Sequence, residues 1–86
     1  MEFKQLEMFV AVAEERSVQR AAERVFRTQP AVSMAVRKLE QEIGSPLFDR
    51  VRRRLDLTPA GERFCAYARQ LLRLRDEAAK VVACAQ

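Results

Sequence analysis

Histidine and tryptophan are absent from this sequence, and cysteine, glycine and proline are scarce, with two, two and three residues among 86. An enzyme needs a nucleophile, paired carboxylates or metal ligands gathered in one pocket. Here the two cysteines lie apart on one predicted helix, and the carboxylates are scattered over predicted surfaces. The sequence therefore predicts no catalytic residue, no metal site and no cofactor.

The cysteines and the hydropathy pattern also indicate a location. Cys65 and Cys84 lie 19 residues apart on the same predicted helix, which is roughly 28 Å and too far for an intrachain disulfide. Free thiols are typical of a reducing cytosol. No apolar run approaches the roughly 20 residues of a membrane span, and no signal-peptide pattern opens the chain. We expect a cytoplasmic protein with inert cysteines, the alternative being a contact of Cys65 with Cys84 of an antiparallel partner.

Positive charge is concentrated in the middle of the chain. Residues 16–54 contain ten Arg and Lys against four Asp and Glu, whereas the remaining residues contain six against eight. A net charge of +4 is shared by several classes of protein, including ribosomal and membrane-surface proteins. The position of the positive charge along the chain is therefore more informative than the size of the net charge.

A chain of this length forms one small domain with a modest core, which a partner subunit would help to stabilise.

Apolar spacing predicts three short helices in the first half of the chain. The first spans about residues 4–15 and has apolar side chains on more than one face. Ser17 is a good N-cap for the second helix and Thr28 for the third, in which Pro30 occupies the first turn. Gly44 supplies the left-handed residue that ends the third helix, and Pro46 prevents its continuation. The stripes predicted to face the core are Val18, Ala21, Ala22 and Val25, then Val32, Val36, Leu39 and Ile43.

A short hairpin and a long helix are predicted to follow. Residues 47–57 are too interrupted for a helix, and residues 51–54 would form the tip of a two-stranded hairpin. Thr58 and Pro59 mark the N-cap and the first position of a fourth helix. A seam with coiled-coil spacing runs along it at Ala60, Phe64, Tyr67, Leu71, Leu74, Ala78, Val81 and Ala85. A second stripe adjoins the seam at Cys65, Ala68, Leu72, Ala79 and Val82.

The two stripes of the fourth helix predict two different contacts. One stripe can cover the domain's own core while the other meets a partner subunit, because the seam is longer than one small domain can cover. The alternative is that the seam is simply part of the core. Since the pattern still runs at Gln86, we expect a fragment of a longer protein.

Residues 17–44 have the pattern of a helix-turn-helix, and arginines follow at positions 50, 52, 53 and 54. In that motif, residues early in the second helix reach base edges in the major groove while the first helix crosses the phosphate backbone. Gln29 can pair with adenine, Ser33 can bond several base edges, and Met34 can pack on a thymine methyl. Arg37, Lys38 and the hairpin arginines suit phosphates or, at the tip, a minor groove. The residues of the third helix predicted to face outward are Pro30, Ser33, Met34, Arg37 and Gln41.

The chain resembles the N-terminal winged helix-turn-helix domain of LysR-type transcriptional regulators. The resemblance covers nearly all of it, in the segments FKQLEMFVAVAEERSVQRAAERV, TQPAVSMAVRKLEQEIGSPLFDR and LTPAGERF, whose order and spacing together are specific. It implies a mainly α fold, with a three-helix core and a short β-hairpin wing followed by a long linker and dimerisation helix. In that family the linker helix pairs antiparallel with its partner's, and a C-terminal domain that binds the small-molecule effector follows.

Three places depart from the usual pattern of that family. Met34 stands where a basic or polar residue is common, and would replace a charged contact with an apolar one. Phe26 and Arg27 replace a commoner small or β-branched pair, which adds a phosphate contact at Arg27. Arg52 stands where Gly or Asn is common at the wing tip, so the charge of the wing is predicted more firmly than its conformation. Arg50 has the alternative of a structural salt bridge.

We expect residues 1–57 to form the winged helix-turn-helix domain and residues 58–86 the linker helix. The expected function is sequence-specific binding of double-stranded DNA by a bacterial, cytoplasmic and nucleoid-associated LysR-type regulator. A homodimer would place its recognition helices, about residues 29–43, in major grooves of an inverted-repeat operator, and the resemblance implies a tetramer for the full-length protein. A protein-interaction module that has lost DNA binding is the alternative.

The expected site residues fall into three groups. The base-reading group is Gln29, Pro30, Ser33 and Met34. The phosphate and wing group is Ser17, Arg27, Thr28, Arg37, Lys38, Arg52, Arg53 and Arg54. The dimer-interface group is Phe64, Tyr67, Leu71, Leu74, Ala78 and Val81.

Overall fold

The computed structural model describes residues 1–51 and 54–85, with the side chains of residues 50, 51, 54 and 85 left out. Its elements follow in the order α1 (Phe3–Glu15), α2 (Val18–Val25), α3 (Gln29–Ile43), β1 (Phe48–Val51), β2 (Arg54–Leu57) and α4 (Pro59–Ala85). The two strands pair antiparallel, with Phe48 opposite Leu57 and Val51 opposite Arg54. The predicted helices and hairpin are therefore confirmed, and the fold is that of a winged helix-turn-helix.

The helix boundaries lie where the capping residues predict them. The hydroxyl oxygen of Ser17 accepts the N–H of Arg20 at 3.1 Å, and that of Thr28 accepts the N–H of Ala31 at 3.3 Å. At the start of α4, the Thr58 hydroxyl accepts the N–H of Gly61 at 2.9 Å. Each cap satisfies one of the N–H groups that a helix start leaves without an intrahelical partner. Gly44 ends α3 at φ 81°, a left-handed conformation that glycine adopts without steric cost.

The core consists of two apolar clusters on opposite sides of α1. Phe9 is fully buried in the first cluster, and its ring contacts those of Phe48 and Phe64 at centroid distances of 5.3 and 5.2 Å. The buried members of this cluster are Leu6, Phe9, Val10, Leu39, Leu47, Cys65 and Ala68. Those of the second cluster are Ala11, Val12, Ala21, Ala22 and Val32. The prediction that α1 is buried on more than one face is confirmed.

The predicted core stripe of α3 is correct for three of its members and wrong for Ile43. Val32 and Leu39 are fully buried and Val36 is half-buried, but Ile43 is 36% exposed. Glu42 forms an ion pair with the amino group of Met1 at 2.8 Å, so this end of α3 lies beside the start of the chain. Ile43 is the last residue of α3, directly before the Gly44 cap, and it lies at the edge of the core, where it is only partly covered. Ala35, which the predicted stripe omitted, is buried.

Only one of the two apolar stripes of α4 faces the domain's own core. Cys65 and Ala68 are buried and Leu72 is half-buried, whereas Tyr67 and Leu74 of the seam are 66% and 62% exposed. The second stripe is thus the inner one, although Ala79 and Val82 lie beyond the core and are exposed. Phe64 belongs to the seam but packs on Phe9, so it contributes to the core of its own subunit. Because Cys65 is buried, its suggested contact with Cys84 of a partner is disfavoured.

Ion pairs attach α4 and α2 to α1 along the outside of the domain. Both carboxylate oxygens of Glu14 are engaged, one with Arg24 of α2 at 2.7 Å and the other with Arg69 of α4 at 3.2 Å. Nearly two turns further along α4, Arg75 pairs with Glu7 at 2.6 Å. Its guanidinium also lies 5.3 Å from the centre of the Phe3 ring, a favourable cation–π distance. These contacts, which extend to Arg75, orient α4 relative to the helix-turn-helix.

Candidate DNA-binding surface

The outer face of α3 presents a row of exposed side chains to solvent. The residues predicted to read bases are all exposed, and so are Arg37, Lys38 and Gln41. Met34 is 54% exposed, a large apolar side chain at a position that contributes nothing to the core. The base-reading residues Gln29, Pro30, Ser33 and Met34 therefore share one accessible surface, which begins at the N-terminus of the helix.

The N-termini of α2 and α3 are each capped by a hydroxyl that keeps its proton available. Ser17 and Thr28 accept backbone N–H groups through their side-chain oxygens. Neither hydroxyl donates a hydrogen bond to another residue that the structure describes. A hydroxyl carries one donor as well as its acceptor lone pairs, and a helix N-terminus favours a negative charge. Both caps can therefore donate to a phosphate oxygen while still capping their helices.

The turn between α2 and α3 contains an unusual residue. Phe26 ends α2 in the left-handed conformation, at φ 57°, with its side chain 94% exposed. Its N–H and that of Arg27 bond to carbonyl oxygens of the last turn of α2, with Arg27 reaching Ala22 at 2.9 Å. This closes α2 tightly and exposes the side chain of Arg27. Sequence patterns did not predict the positive φ of Phe26, because left-handed caps are usually Gly or Asn.

The two strands of the wing follow the C-terminal end of α3 after a short connection. The four residues 44–47 connect α3 to β1, and β2 leads directly into Thr58 and α4. Arg52 and Arg53 lie outside the described residues, as do the side chains of Arg50 and Arg54. The predicted contacts of these arginines with phosphate, and the alternative salt bridge of Arg50, therefore remain predictions.

Glu40 is a functional candidate that sequence reasoning missed. Its carboxylate oxygen Oε2 accepts the N–H of Leu47 at 2.8 Å and that of Phe48 at 3.4 Å. It is half-buried beside the core stripe of α3. The available signal was an acidic residue at the inner edge of the helix, one turn before the Gly44 cap. That signal is weak, because most acidic residues on a helix are simply solvated.

The basic side chains of the domain fall into two groups, those that form ion pairs within the domain and those that do not. Arg24, Arg69 and Arg75 are all neutralised by carboxylates of α1 or α4. Arg27, Arg37 and Lys38 form no ion pair with any other residue in the described ranges. The exposed face of α3 and the turn before it thus carry cations whose charge is available to an external anion.

The seam of α4 forms a second exposed surface. Tyr67, Leu71, Leu74 and Val81 are large, apolar or aromatic and exposed. Ala78 is exposed as well. Leu71 borders a shallow apolar groove together with Met1, Phe3 and Leu6. Contiguous exposed apolar surface of this kind is typical of sites that contact another protein, a membrane or a ligand.

Within the described residues, no helix is long and apolar enough to span a bilayer. The same residues contain no cluster of side chains suited to hold a metal ion.

Residues 3–62 match the family model described as "Bacterial regulatory helix-turn-helix protein, lysR family". The chain is 46% identical over 78 residues to the HTH-type transcriptional regulator BudR of Klebsiella aerogenes, covering 91% of the chain and 54% of that relative. It is 42% identical over 78 residues to a probable RuBisCO transcriptional regulator of Cyanidioschyzon merolae, covering 91% of the chain and 26% of that relative. The chain thus spans about half or less of the length of these relatives, which are described as regulators and not as enzymes.

Solved structures share the fold of this chain. The DNA-binding domain of CbnR, in a complex with DNA, superposes with a TM-score of 0.93 at 36% sequence identity. The match covers 99% of this chain and 98% of that one. A structure that resembles this chain over nearly its whole length is thus a domain that was solved on DNA.

Proposed function

The chain belongs to the lysR family of bacterial regulatory helix-turn-helix proteins, and we propose that it binds double-stranded DNA sequence-specifically as the DNA-binding domain of a transcriptional regulator. The observation that carries the proposal is the exposed face of α3, whose cations have no partner in the described part of the chain. The CbnR domain in complex with DNA has the same fold over 99% of this chain, which supports the same docking mode.

In this proposal, the first half of α3 reads bases in the major groove. Gln29, Pro30, Ser33 and Met34 are all exposed there. A glutamine can bond adenine through two atoms, a hydroxyl can bond several base edges, and an apolar group can contact a thymine methyl. Met34 would therefore favour a thymine where a charged residue would favour another base.

Phosphates are contacted on both sides of that helix. The exposed side chains of Arg27, Arg37 and Lys38 supply positive charge, and the hydroxyls of Ser17 and Thr28 supply hydrogen bonds. The wing adds its arginines at positions 52, 53 and 54. Such contacts fix the register of the protein on the duplex without reading sequence.

The seam of α4 would pair with that of a second subunit. Tyr67, Leu71, Leu74, Ala78 and Val81 are exposed in one subunit, and an antiparallel pairing of two such helices would bury them. The homodimer then presents two recognition helices to an inverted-repeat operator. Phe64 contributes at the edge, since its ring is already half-covered by its own core.

The proposal includes the organisation of the whole regulator. Residues 1–57 form the DNA-binding unit and residues 58–86 the linker helix, followed by a C-terminal domain that binds the effector. The full-length protein would be a tetramer that acts on DNA in the cytoplasm, at the nucleoid.

The base-reading part of the proposal is tested by single substitutions on a duplex selected from random sequences. We expect Ser33→Ala and Gln29→Ala each to weaken binding to the selected duplex by about 1–3 kcal/mol, and to leave binding to unrelated duplexes unchanged. Gln41→Ala is the matched control, because Gln41 is an exposed glutamine of the same helix, three turns further on. Equal losses on both duplexes would contradict base reading by these residues.

The dimer is tested by placing a charge in the seam. Leu71→Glu should shift the protein from dimer to monomer in sedimentation, because a carboxylate cannot be buried unpaired between two helices. Gln70→Glu is the control, since Gln70 is exposed and lies outside both stripes. A dimer that survives Leu71→Glu would place the interface elsewhere.

A further inference from the structure

The connection between the recognition helix α3 and the wing is bonded to one residue, Glu40. Its backbone carbonyl accepts the N–H of Gly44 at 2.8 Å and that of Ser45 at 3.3 Å. Its side-chain oxygen Oε2 accepts the N–H of Leu47 at 2.8 Å and that of Phe48 at 3.4 Å. Residue 46 is proline and has no N–H. Every backbone donor from residue 44 to residue 48 therefore bonds to Glu40.

The opposite side of the same connection is held by the start of α4. The hydroxyl of Thr58 donates to the carbonyl of Pro46 at 2.7 Å, and the N–H of Thr58 bonds to the carbonyl of Leu47 at 3.0 Å. The side chain of Leu47 is fully buried in the core. The connection is thus fixed from two sides, by Glu40 of α3 through its N–H groups and by Thr58, at the start of α4, through its carbonyls.

We infer that Glu40 is a positioning residue for DNA binding, which holds the wing at a fixed angle to the recognition helix. The inference rests on the proposed function, in which α3 enters the major groove and the wing contacts the backbone beside it. A carboxylate suits this task, because hydrogen bonds to a charged acceptor are shorter and about twice as strong as those between neutral groups. Without the carboxylate of Glu40, the N–H groups of Leu47 and Phe48 lose their acceptor. The start of the wing then has no direct hydrogen bond to this side chain of α3.

Thr58 makes the inference testable, since its bonds to Pro46 and Leu47 do not involve Glu40. We expect Glu40→Ala to retain its helical circular dichroism while its wing becomes free to change angle. The matched control is Glu42→Ala, two residues along the same helix, which removes the same charge and breaks only the pair with the amino group of Met1.

The first measurement needs no DNA and follows amide hydrogen exchange. In Glu40→Ala the amides of Leu47 and Phe48 should exchange about tenfold faster or more, with the amide of Leu39 unchanged. Glu42→Ala should leave all three unchanged. If Leu47 and Phe48 stay as protected in Glu40→Ala as in the parent protein, the inference is overturned, whatever the protein binds.

The second measurement separates positioning from simple stability through a double-mutant cycle on the duplex that the parent protein selects. Arg54→Ala in the wing should reduce the salt slope of binding by about one, and Glu40→Ala should reduce it at least as much. The two changes together should cost little more than Glu40→Ala alone, because an unfixed wing has already lost its contact. Fully additive losses, or an equal loss in Glu42→Ala, would overturn the inference.

The variants also cover the remaining outcomes. Glu40→Gln keeps an amide oxygen as acceptor, so this variant should recover part of the amide protection and part of the salt slope. If Glu40→Ala does not fold, Glu40→Gln replaces it in both measurements. If the parent protein binds no duplex, the proposed function fails and with it the role of Glu40 in DNA binding, whereas the exchange measurement still decides whether Glu40 holds the wing to α3.

Discussion

Gly61, in the first turn of α4, gives the sharpest prediction about stability. A glycine inside a helix usually costs stability, and its replacement by alanine should gain about 1 kcal/mol. At this position, however, a methyl group built on the backbone overlaps the carbonyl oxygen of Leu47. It also lies 3.0 Å from the carbonyl carbon of Leu47 and 3.0 Å from Cδ2 of Leu57. We therefore expect Gly61→Ala to destabilise the protein.

The magnitude follows from what must move to admit the methyl group. Because the overlapping atom belongs to the backbone, the connection to the wing must shift away from α4, and overpacking of this kind costs about 1–3 kcal/mol. The shift also lengthens the 3.0 Å bond from the Thr58 N–H to Leu47, which is worth about 1 kcal/mol. That loss cancels the gain in helix propensity, which leaves a net loss of about 1–3 kcal/mol.

Thermal unfolding at a fixed protein concentration measures this loss. For a domain of this size, 2 kcal/mol corresponds to a decrease in Tm of about 8–16 °C. Ala66→Gly is the control, because Ala66 is an exposed position of the same helix and should show only the propensity cost of about 1 kcal/mol. A Gly61→Ala variant that is as stable as the parent, or more stable, would refute the close approach of α4 to Leu47.

Three further predictions concern other parts of the domain. Phe26→Asn should raise the free energy of unfolding by about 1 kcal/mol, because asparagine tolerates the left-handed conformation that Phe26 adopts; a lower Tm would contradict this. Burial raises the pKa of the Cys65 thiol, so thiol reagents at pH 8 should label exposed Cys84 first and Cys65 only on unfolding; equal rates would count against the packing of α4. The hydrogen bond from Arg24 lowers the pKa of Glu14 from its ordinary value of 4.5, so Glu14 stabilises the fold above that pH and the contribution disappears as pH falls through its folded pKa. Denaturant titrations should thus find Glu14→Gln less stable at pH 7, by under about 1 kcal/mol because the pair is solvent-screened, with the difference vanishing in acid; a difference that persists there would have another cause.

Local signals allowed the helix boundaries to be predicted from sequence. Ser17, Thr28 and Thr58 each bond to an N–H within their own first turn, and Gly44 ends α3 through its own backbone conformation. Such interactions involve neighbours in the chain, so the sequence around them is sufficient. The exposed face of α3 followed in the same way, because its inner stripe fixes the direction of the remaining side chains.

Features that depend on distant parts of the chain were not predictable. Both stripes of α4 are apolar, and only packing against Phe9 and Leu6 decides that Cys65 and Ala68 face inward. Glu40 resembled any solvated acid until the fold brought Leu47 and Phe48 to its carboxylate. The roles of the wing arginines depend on a duplex, and their contacts with phosphate remain predictions.

The most direct test of the central claim is the salt dependence of binding to duplex DNA. If Arg27, Arg37, Lys38 and the wing arginines of each subunit neutralise phosphates, affinity should fall by about a thousandfold or more between about 50 and 200 mM salt. An affinity that does not change over this range, measured on an intact dimer, would contradict phosphate contact. The seam of α4 would then be the principal functional surface, and the chain would be a protein-interaction module.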